Sequence, residues 1–353
     1  MRFKNIDFLR FIFSVLIVLF HGRGIIELPK WLSGISHCNV CVDFFFIIAG
    51  FLLFFKFKPN IDTWEFAKKR FWRLAPNIWL SIVLLGILSI FIKDIHWNLD
   101  GNLLRVLLLN CVGFSPSTGG TNMIISWFVS ALFWTSIFYV YISKIFEKKY
   151  LNLIIWILVM CCYSIYMQHN NFATGGHTKN VYLIFNLGIC RALASMGLGY
   201  FLSMAYNEGI LQNVKTKGIV LISLCECFLI GFLTYYLIFS GKLPGKTGMG
   251  YIVPFAILFY FMLIKKGFIS KLFDNNLSVR LGKYSYSIYC FHGVILPIFK
   301  HHIFKHYPVI LTDYPLLAYS IQTLFAIACG IILYYIFERP VSNYLNQKFH
   351  KVE

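Results

Sequence analysis

Long, continuous apolar segments alternate along the chain with short polar and basic stretches. A helix that spans the hydrocarbon core of a membrane needs about 20 mostly apolar residues. Such long runs do not fit an outer-membrane β-barrel, whose strands are short segments of alternating polarity. Ten segments approach the spanning length and predict ten transmembrane helices, at 6–22, 39–56, 74–93, 123–143, 150–168, 181–204, 217–239, 249–264, 284–300 and 316–337.

The composition supports a membrane protein. Of 353 residues, 58% are hydrophobic and 13% are charged, whereas soluble domains average about 25% charged residues. So few charges cannot cover a water-facing surface, which excludes an ordinary soluble enzyme. The same shortage excludes a nucleic-acid-binding protein, because such a protein combines basic charge with a polar surface. The predicted fold is therefore all-α, a polytopic helical membrane protein.

The distribution of basic residues predicts the orientation of the chain. It holds 32 Lys and Arg against 14 Asp and Glu. With the ten helices placed as above, 21 of the 32 fall on the side of the N-terminus and 9 in the opposite loops. Since Lys and Arg collect on the cytoplasmic side, both termini are expected in the cytoplasm, as in a multi-pass protein of the cell inner (cytoplasmic) membrane. We expect one membrane domain over 1–345 and a short cytoplasmic tail over 346–353.

Arg10 and His21 lie within the first apolar segment, where ionisable residues are candidates for function. These two residues, and the absence of a small-residue cleavage site, indicate a retained helix rather than a signal peptide. Eleven helical steps return to within roughly 20° of the starting direction, so both side chains project from one face. The simpler alternatives are that Arg10 extends to lipid phosphate and that His21 is a core or interfacial histidine.

Asp43 lies near the outer end of the second segment, at the depth predicted for His21. A buried carboxylate beside an imidazole fixes its tautomer and supports it as a general base. We therefore expect Asp43 to orient His21, the alternative being a structural Asp–His or Asp–Arg pair. Arg191 and Glu226 lie deep in neighbouring segments and are expected to pair with each other, because an unpaired charge there is too costly.

Arg70 and Arg73 precede the third segment and share one helix face at a spacing of three residues. Their forked guanidinium groups suit phosphate recognition, although ordinary positive charge beside anionic lipid gives the same pattern. His292 lies in the middle of the ninth segment. A hydrogen-bonded core histidine and a role in catalysis or acceptor binding are both open for it.

The ten cysteines lie mostly within apolar segments, where they pack as small hydrophobic residues. Cys38 and Cys41 form a single Cys-x-x-Cys pair, which without a second pair is a poor zinc signal. We expect either a disulfide or no role for this pair. No metal site is predicted elsewhere.

Five sequence elements occur here in one order, namely the Arg10–His21 pair and the segments 42–52, 70–73, 285–292 and 337–340. Together they resemble the acyltransferase family 3 membrane proteins, over residues 1–345. The resemblance implies transfer of an acyl group, commonly acetyl, from cytoplasmic acyl-CoA to a sugar of a surface polysaccharide, such as lipopolysaccharide or capsule, or of its lipid-linked precursor. Many members carry an acidic residue in the fourth span, where this chain has no carboxylate over 126–133.

The resemblance also implies roles for individual residues. In the family the arginine and histidine of the first span are essential, and they match Arg10 and His21. We expect Arg70 and Arg73, together with Arg10, to hold the phosphates of CoA. His21 is expected to act as general base on the acceptor hydroxyl or to take the acyl group itself.

Acceptor binding is expected from His292, Trp127 and Tyr289, although Trp127 equally fits an interfacial aromatic belt. Acyl-CoA is a co-substrate, and no bound cofactor is predicted. The other expected partners are the glycan acceptor and membrane lipids, but not nucleic acid, and the chain is open to forming a homo-oligomer. The alternative function is a transporter or flippase for a polysaccharide precursor, which inverted repeats would favour; the sequence has no obvious repeat of this kind.

Overall fold

The computed structural model describes residues 2–350 apart from 25, 56, 58–59, 96, 98, 113–124, 170–179, 183–184 and 241–247. Over these residues the regular secondary structure is helical except for one small antiparallel hairpin, β1 (Asn180–Tyr182) and β2 (Phe185–Asn186). Among the described residues, eight helices are long and apolar enough to cross a membrane, two fewer than the ten predicted spans. The predicted fold class, an all-α polytopic membrane protein, is confirmed.

The helices of the described residues are, in chain order, α1 (Lys4–Gly22), α2 (Cys41–Phe55), α3 (Thr63–Phe91), α4 (Leu99–Val106), α5 (Ser126–Ile145), α6 (Lys148–His169), α7 (Leu187–Asn207), α8 (Thr216–Thr234), α9 (Ile252–Ile264), α10 (Phe268–Leu272), α11 (Asn276–Gly282), α12 (Ser285–Ile298), α13 (Phe304–His306), α14 (Val309–Asp313), α15 (Pro315–Leu333) and α16 (Arg339–His350). A 3₁₀-helical stretch, Lys30–Val40, leads into α2. The residues outside the description include position 56 of the predicted second span, 123–124 of the fourth, 183–184 of the sixth and 351–353 of the predicted tail.

The largest difference from the predicted helices is at the start of α3. The prediction begins at 74, whereas the helix begins at Thr63, where the Asp62 side chain accepts a hydrogen bond from the Glu65 N–H. An N-terminal cap of this kind stabilises the first turn. The basic stretch that the sequence assigned to a loop is therefore helical, and Pro76 lies within the helix.

Helices α8, α12 and α15 are each continued by a π-helical stretch, at Tyr235–Phe239, Phe299–Ile303 and Tyr334–Glu338. The wider turn of a π-helix changes the direction of the side chains that follow, and such stretches are frequent at functional sites. The last two of these stretches contribute residues to the cavities described below.

Helices α2 and α7 lie very close to each other. A Cβ atom on Gly50 would lie 2.2 Å from the Met196 carbonyl oxygen, and one on Gly199 would lie 2.3 Å from the Ile47 carbonyl oxygen. Small residues allow the backbones of membrane helices to approach in this way. The α2–α7 interface is consequently closely packed.

Helix α1 packs against α11, α12 and α15. The Tyr319 hydroxyl donates to the Leu19 carbonyl oxygen at 2.8 Å, and the Gln322 amide donates to the Gly22 carbonyl oxygen. These two bonds from α15 satisfy carbonyl groups that the end of a helix leaves without partners. They fix the last turn of α1, which carries His21.

Candidate active site

A cavity of about 1000 Å³ opens at the end of the bundle that holds both described chain ends, since Arg2 and Arg339 both line it. We call it the basic cavity, because its lining has several basic side chains and the two carboxylates Asp7 and Glu338. The basic residues are Arg2, Arg10, Lys69, Arg70, Arg73, Lys283 and Arg339. An apolar wall formed by α2 and α5 continues inward from them, through Ile48, Ala49, Leu52, Phe128 and Leu132. Such a cavity suits a ligand with a polyanionic head and an apolar arm.

Three predicted arginines meet in the basic cavity. Arg10 Nη1 lies 3.6 Å from Asp7 Oδ1, so its charge is partly offset. Arg70 contacts the Phe66 ring at 5.7 Å, and its buried Nε has no hydrogen-bond partner. Neither Arg70 nor Arg73 forms a salt bridge with a carboxylate of the described residues. Both guanidinium groups are thus available to an anionic ligand.

Glu338 is a residue of this cavity that the sequence prediction missed. Its Oε2 accepts a hydrogen bond from Asn77 Nδ2 at 3.0 Å and another from the Ser287 hydroxyl. It also interacts electrostatically with Arg10 and Arg73. Glu338 therefore joins α3, α12 and the π-helical end of α15. The sequence signal was the segment 337–340, but nothing in the sequence indicated which helices it would contact.

A second cavity of about 160 Å³ lies at the opposite ends of α1 and α12. We call it the histidine cavity. Its lining residues are His21, Gly22, Gly24, Ile125, His292, Gly293, Leu296, Pro297, Lys300, His301, Phe304 and Gln322. His21 and His292, which the sequence placed on different spans, lie side by side in it.

The two histidines are hydrogen bonded to each other, with 3.2 Å between His292 Nε2 and His21 Nδ1. His21 Nδ1 also lies 3.1 Å from the Ile17 carbonyl oxygen, and His292 Nδ1 lies 3.3 Å from the Ile288 carbonyl oxygen. Because a carbonyl can only accept, we assign a hydrogen to both Nδ1 atoms. The His21 N–H is then shared between Ile17 and His292, and His21 Nε2 keeps a lone pair that can accept a proton.

An aromatic partition separates the two cavities. It consists of Phe45, Phe128 and Tyr289, whose ring centroids lie 5.1 to 6.3 Å apart. Tyr289 lines the basic cavity, contacts the His292 ring at 5.7 Å, and donates a hydrogen bond to the Ile125 carbonyl oxygen at 2.8 Å. Since His292 and Ile125 line the histidine cavity, the two cavities approach each other at Tyr289 and the histidine pair.

The prediction that Asp43 orients His21 is wrong. The Asp43 carboxylate accepts hydrogen bonds from Arg191 Nε at 2.7 Å, Arg191 Nη2 at 2.5 Å and the Ser195 hydroxyl at 3.1 Å. The prediction that Arg191 pairs with Glu226 is wrong for the same reason. The close packing of α2 on α7 turns Asp43 toward Arg191, so the structural Asp–Arg alternative is the observed one. His21 takes its orientation from Ile17 and His292 instead.

Glu226 and Trp127 also differ from their expected places. Glu226 Oε2 accepts hydrogen bonds from the N–H groups of Ile269 at 2.8 Å and Ser270 at 3.3 Å, at the start of α10. The Trp127 ring lies 5.6 Å from the Arg191 guanidinium and lines neither cavity, contrary to its expected place beside the acceptor.

Cys38 and Cys41 are free thiols, and the Cys38 thiol donates to the Leu237 carbonyl oxygen at 3.2 Å. They therefore do not form a disulfide. Among the described residues, no group of three or more His, Cys, Asp and Glu side chains is arranged to hold a metal ion.

Most of the residues that line the two cavities belong to one domain. The sequence profile of the acyltransferase domain of family 3 matches residues 3–339. The chain belongs to acyltransferase family 3. The match spans α1 through the π-helical end of α15, and therefore includes Arg10, Arg70, Arg73 and the histidine pair. A comparison with curated proteins finds no match. The protein is accordingly a multi-pass membrane acyltransferase.

Proposed function

We propose that this acyltransferase moves an acyl group, in the simplest case acetyl, from cytoplasmic acyl-CoA to a hydroxyl of a surface polysaccharide or lipid-linked sugar. The observation that carries the proposal is that two opposed cavities approach each other at Tyr289 and the His21–His292 pair. One cavity is large, basic at its mouth and apolar inside; the other is small and is lined in part by His21, His292 and Lys300. A donor and an acceptor on opposite sides of a membrane need this arrangement.

The donor is bound in the basic cavity. Arg70 and Arg73 pair with the phosphate groups of CoA through charge-assisted hydrogen bonds, which are about twice as strong as neutral ones. Arg10 adds charge deeper along α1, with Asp7 holding its guanidinium. The pantetheine arm follows the apolar wall toward Tyr289, which brings the thioester to the aromatic partition. Passage of the thioester to His21 requires these rings to move aside.

The acceptor hydroxyl is bound in the histidine cavity, where His21 Nε2 removes its proton. The hydroxyl oxygen attacks the thioester carbonyl carbon, the carbon–sulfur bond breaks, and CoA leaves as the thiolate. The imidazolium proton then passes to the thiolate or to solvent. His292 supports this step because its Nε2 accepts the Nδ1 hydrogen of His21 and so stabilises the positive charge.

A two-step route uses the same atoms. His21 Nε2 attacks the thioester first, CoA leaves, and the acceptor hydroxyl then takes the acyl group from the imidazole. Incubation of the purified protein with radiolabelled acetyl-CoA in the absence of acceptor distinguishes the two routes. Label bound to wild-type protein but not to His21→Ala supports the acyl-histidine, and unlabelled protein supports direct transfer.

The orientation proposed for the enzyme has both termini in the cytoplasm of a cell whose inner membrane it spans. The excess of Lys and Arg on the side of the N-terminus supports it. The location of Arg2 and Arg339 on one cavity supports it as well, because it puts both ends on the same side.

The proposal is tested by mass spectrometry of surface glycans from a strain that lacks this protein. We expect one acyl group per repeating unit to be lost, and to return when the wild-type protein is restored but not when His21→Ala is expressed at equal abundance. Glycans that keep every acyl group in the deletion strain contradict the proposal. Glycans of unchanged chemical composition that accumulate inside the cells of the deletion strain would indicate a transporter instead.

A further inference from the structure

Lys300 is a cation of the histidine cavity that the proposed reaction does not use. The π-helical stretch Phe299–Ile303 follows α12 and places Lys300 and His301 in the cavity lining, together with His21 and His292. Lys300 forms no hydrogen bond or ion pair with any of the described residues. No carboxylate is found among the described residues that line the cavity. Lys300 is an exposed residue, and no carboxylate of the described cavity lining offsets its positive charge.

The neighbouring basic residues differ from Lys300 in this respect. Lys305, one and a half turns further along, pairs with Asp94 at 2.7 Å and does not line the cavity. His302 and His306 lie ring to ring, and His306 Nδ1 contacts the His302 carbonyl oxygen at 2.7 Å. Lys300 is therefore the ammonium group available to a bound molecule in this part of the structure.

The histidine cavity is small enough for one bound molecule to contact both Lys300 and His21. Its volume of about 160 Å³ corresponds to roughly five water molecules at about 30 Å³ each. A sugar whose hydroxyl contacts His21 therefore extends toward Lys300. A neutral sugar at this place leaves the ammonium group without a counter-charge, whereas an anionic group forms a charge-assisted hydrogen bond with it.

We infer that the acceptor of this enzyme carries an anionic group, a carboxylate or a phosphate, beside the hydroxyl that is acylated, and that Lys300 binds this group. The inference rests on the proposed function and adds the chemical class of the acceptor. A uronic acid within the glycan and a phosphate of the glycan or of its lipid carrier are the two sources of this chemistry. The experiment below separates them.

The test measures acyl transfer from labelled acetyl-CoA to the unacylated glycan purified from the deletion strain, using the protein in its own membranes. We expect Lys300→Gln to raise the KM for the glycan about tenfold or more, as loss of a hydrogen bond to a charged group does, with kcat and the KM for acetyl-CoA unchanged. Lys300→Arg keeps the charge and is expected to stay near wild type. Lys305→Gln is the matched control, because it removes a neighbouring cation outside the cavity.

The source of the anion is identified by changing the glycan. Reduction of its carboxylates to alcohols abolishes the difference between wild type and Lys300→Gln if a uronic acid is bound. Removal of its phosphate groups does so if a phosphate is bound. A KM for Lys300→Gln within twofold of wild type overturns the inference, as does an acylated unit that mass spectrometry finds free of both groups. Absence of any acetyl-CoA-dependent transfer by the wild-type protein overturns the proposed function itself, and the inference with it.

Discussion

Two interfaces of this protein contain ionisable groups and use them differently. Between α2 and α7, Asp43 and Arg191 are at most 1% exposed, and the Asp43 carboxylate is bound by Arg191 and Ser195. Between α1 and α12, His21 and His292 share one hydrogen bond, and His21 Nε2 is left without a partner in the described residues. An ionisable residue within a membrane indicates importance in both cases. Whether all of its hydrogen-bonding groups have partners indicates whether its role is structural or catalytic.

The surroundings of the two interfaces agree with this distinction. The α2–α7 interface has glycines where the backbones touch and no room for a ligand. The α1–α12 interface lies between two cavities, and the basic cavity holds a buried Arg70 Nε without a partner. The first interface therefore holds the bundle together, and the second is where a substrate can supply the missing partners.

The sharpest test of the comparison is the replacement of His21 by Ala. We expect a loss of about 100- to 10,000-fold in the rate of acyl transfer, which is the usual contribution of a general base. The midpoint of thermal unfolding in detergent stays near that of wild type, because His21 contributes no packing to the α2–α7 interface. His306→Ala, at an exposed histidine outside both cavities, is the control. A rate within tenfold of wild type would show that the reaction does not depend on this pair.

Replacement of Arg191 by Met has the opposite signature. Removing one partner of a buried ion pair leaves Asp43 uncompensated and lowers the free energy of unfolding by about 3–5 kcal/mol. We expect a large loss of folded protein, measured by abundance and by the unfolding midpoint, and a partial recovery when Asp43→Leu is added. A stable but inactive Arg191→Met protein would show that this ion pair takes part in the reaction. The two interfaces would then not differ in role.

Arg70 and Arg73 test whether the basic cavity beside the α1–α12 interface binds acyl-CoA. Arg70→Gln and Arg73→Gln are each expected to raise the KM for acyl-CoA about tenfold or more, as expected for a hydrogen bond to a charged group, without changing the KM for the acceptor. Lys68→Gln is the matched control, since Lys68 pairs with Glu65 on the same helix and does not line the cavity. An equal effect of all three variants would indicate general attraction to anionic lipid.

The smallest expected effect comes from the glycines of the first interface. Gly50→Ala puts a methyl group against the Met196 backbone, and such overpacking costs about 1–3 kcal/mol of stability. Activity per folded molecule is expected to stay near wild type. Gly231→Ala on α8 is the control, because a Cβ there meets no atom within 4 Å. Equal unfolding midpoints for Gly50→Ala and Gly231→Ala would contradict the close packing of α2 on α7.

The apolar pattern predicted most of the fold. The first span, predicted at 6–22, is Lys4–Gly22, and the fifth, predicted at 150–168, is Lys148–His169. The start of α3 was misplaced because its first turns carry a basic stretch, which a hydropathy pattern assigns to a loop. The short helices α4, α10, α11 and α14 were not predicted, since they lack the length that makes a span visible in the sequence.

The sequence predicted the residues of the candidate site better than it predicted the contacts between them. Arg10, Arg70 and Arg73 were named from charge, spacing and the resemblance, and they share one cavity. Asp43 was assigned to His21 because both were expected at one depth, but depth along a helix does not specify which neighbour a side chain faces. Glu338 was missed as a site residue because its partners, Asn77 and Ser287, are distant in the sequence.

The sequence by itself determined that this chain is a helical membrane protein, which family it resembles and which ionisable residues are exceptional. The hydrocarbon core of a membrane excludes polar and charged groups, so composition and the length of apolar runs carry this information. The tertiary structure alone decided which of those residues are paired and which are open to a substrate. That decision depends on helix packing: α2 contacts α7 through glycines and places Asp43 on Arg191, while α1 contacts α12 and places His21 on His292. These are contacts between segments far apart in the chain, and helical periodicity carries no information about them.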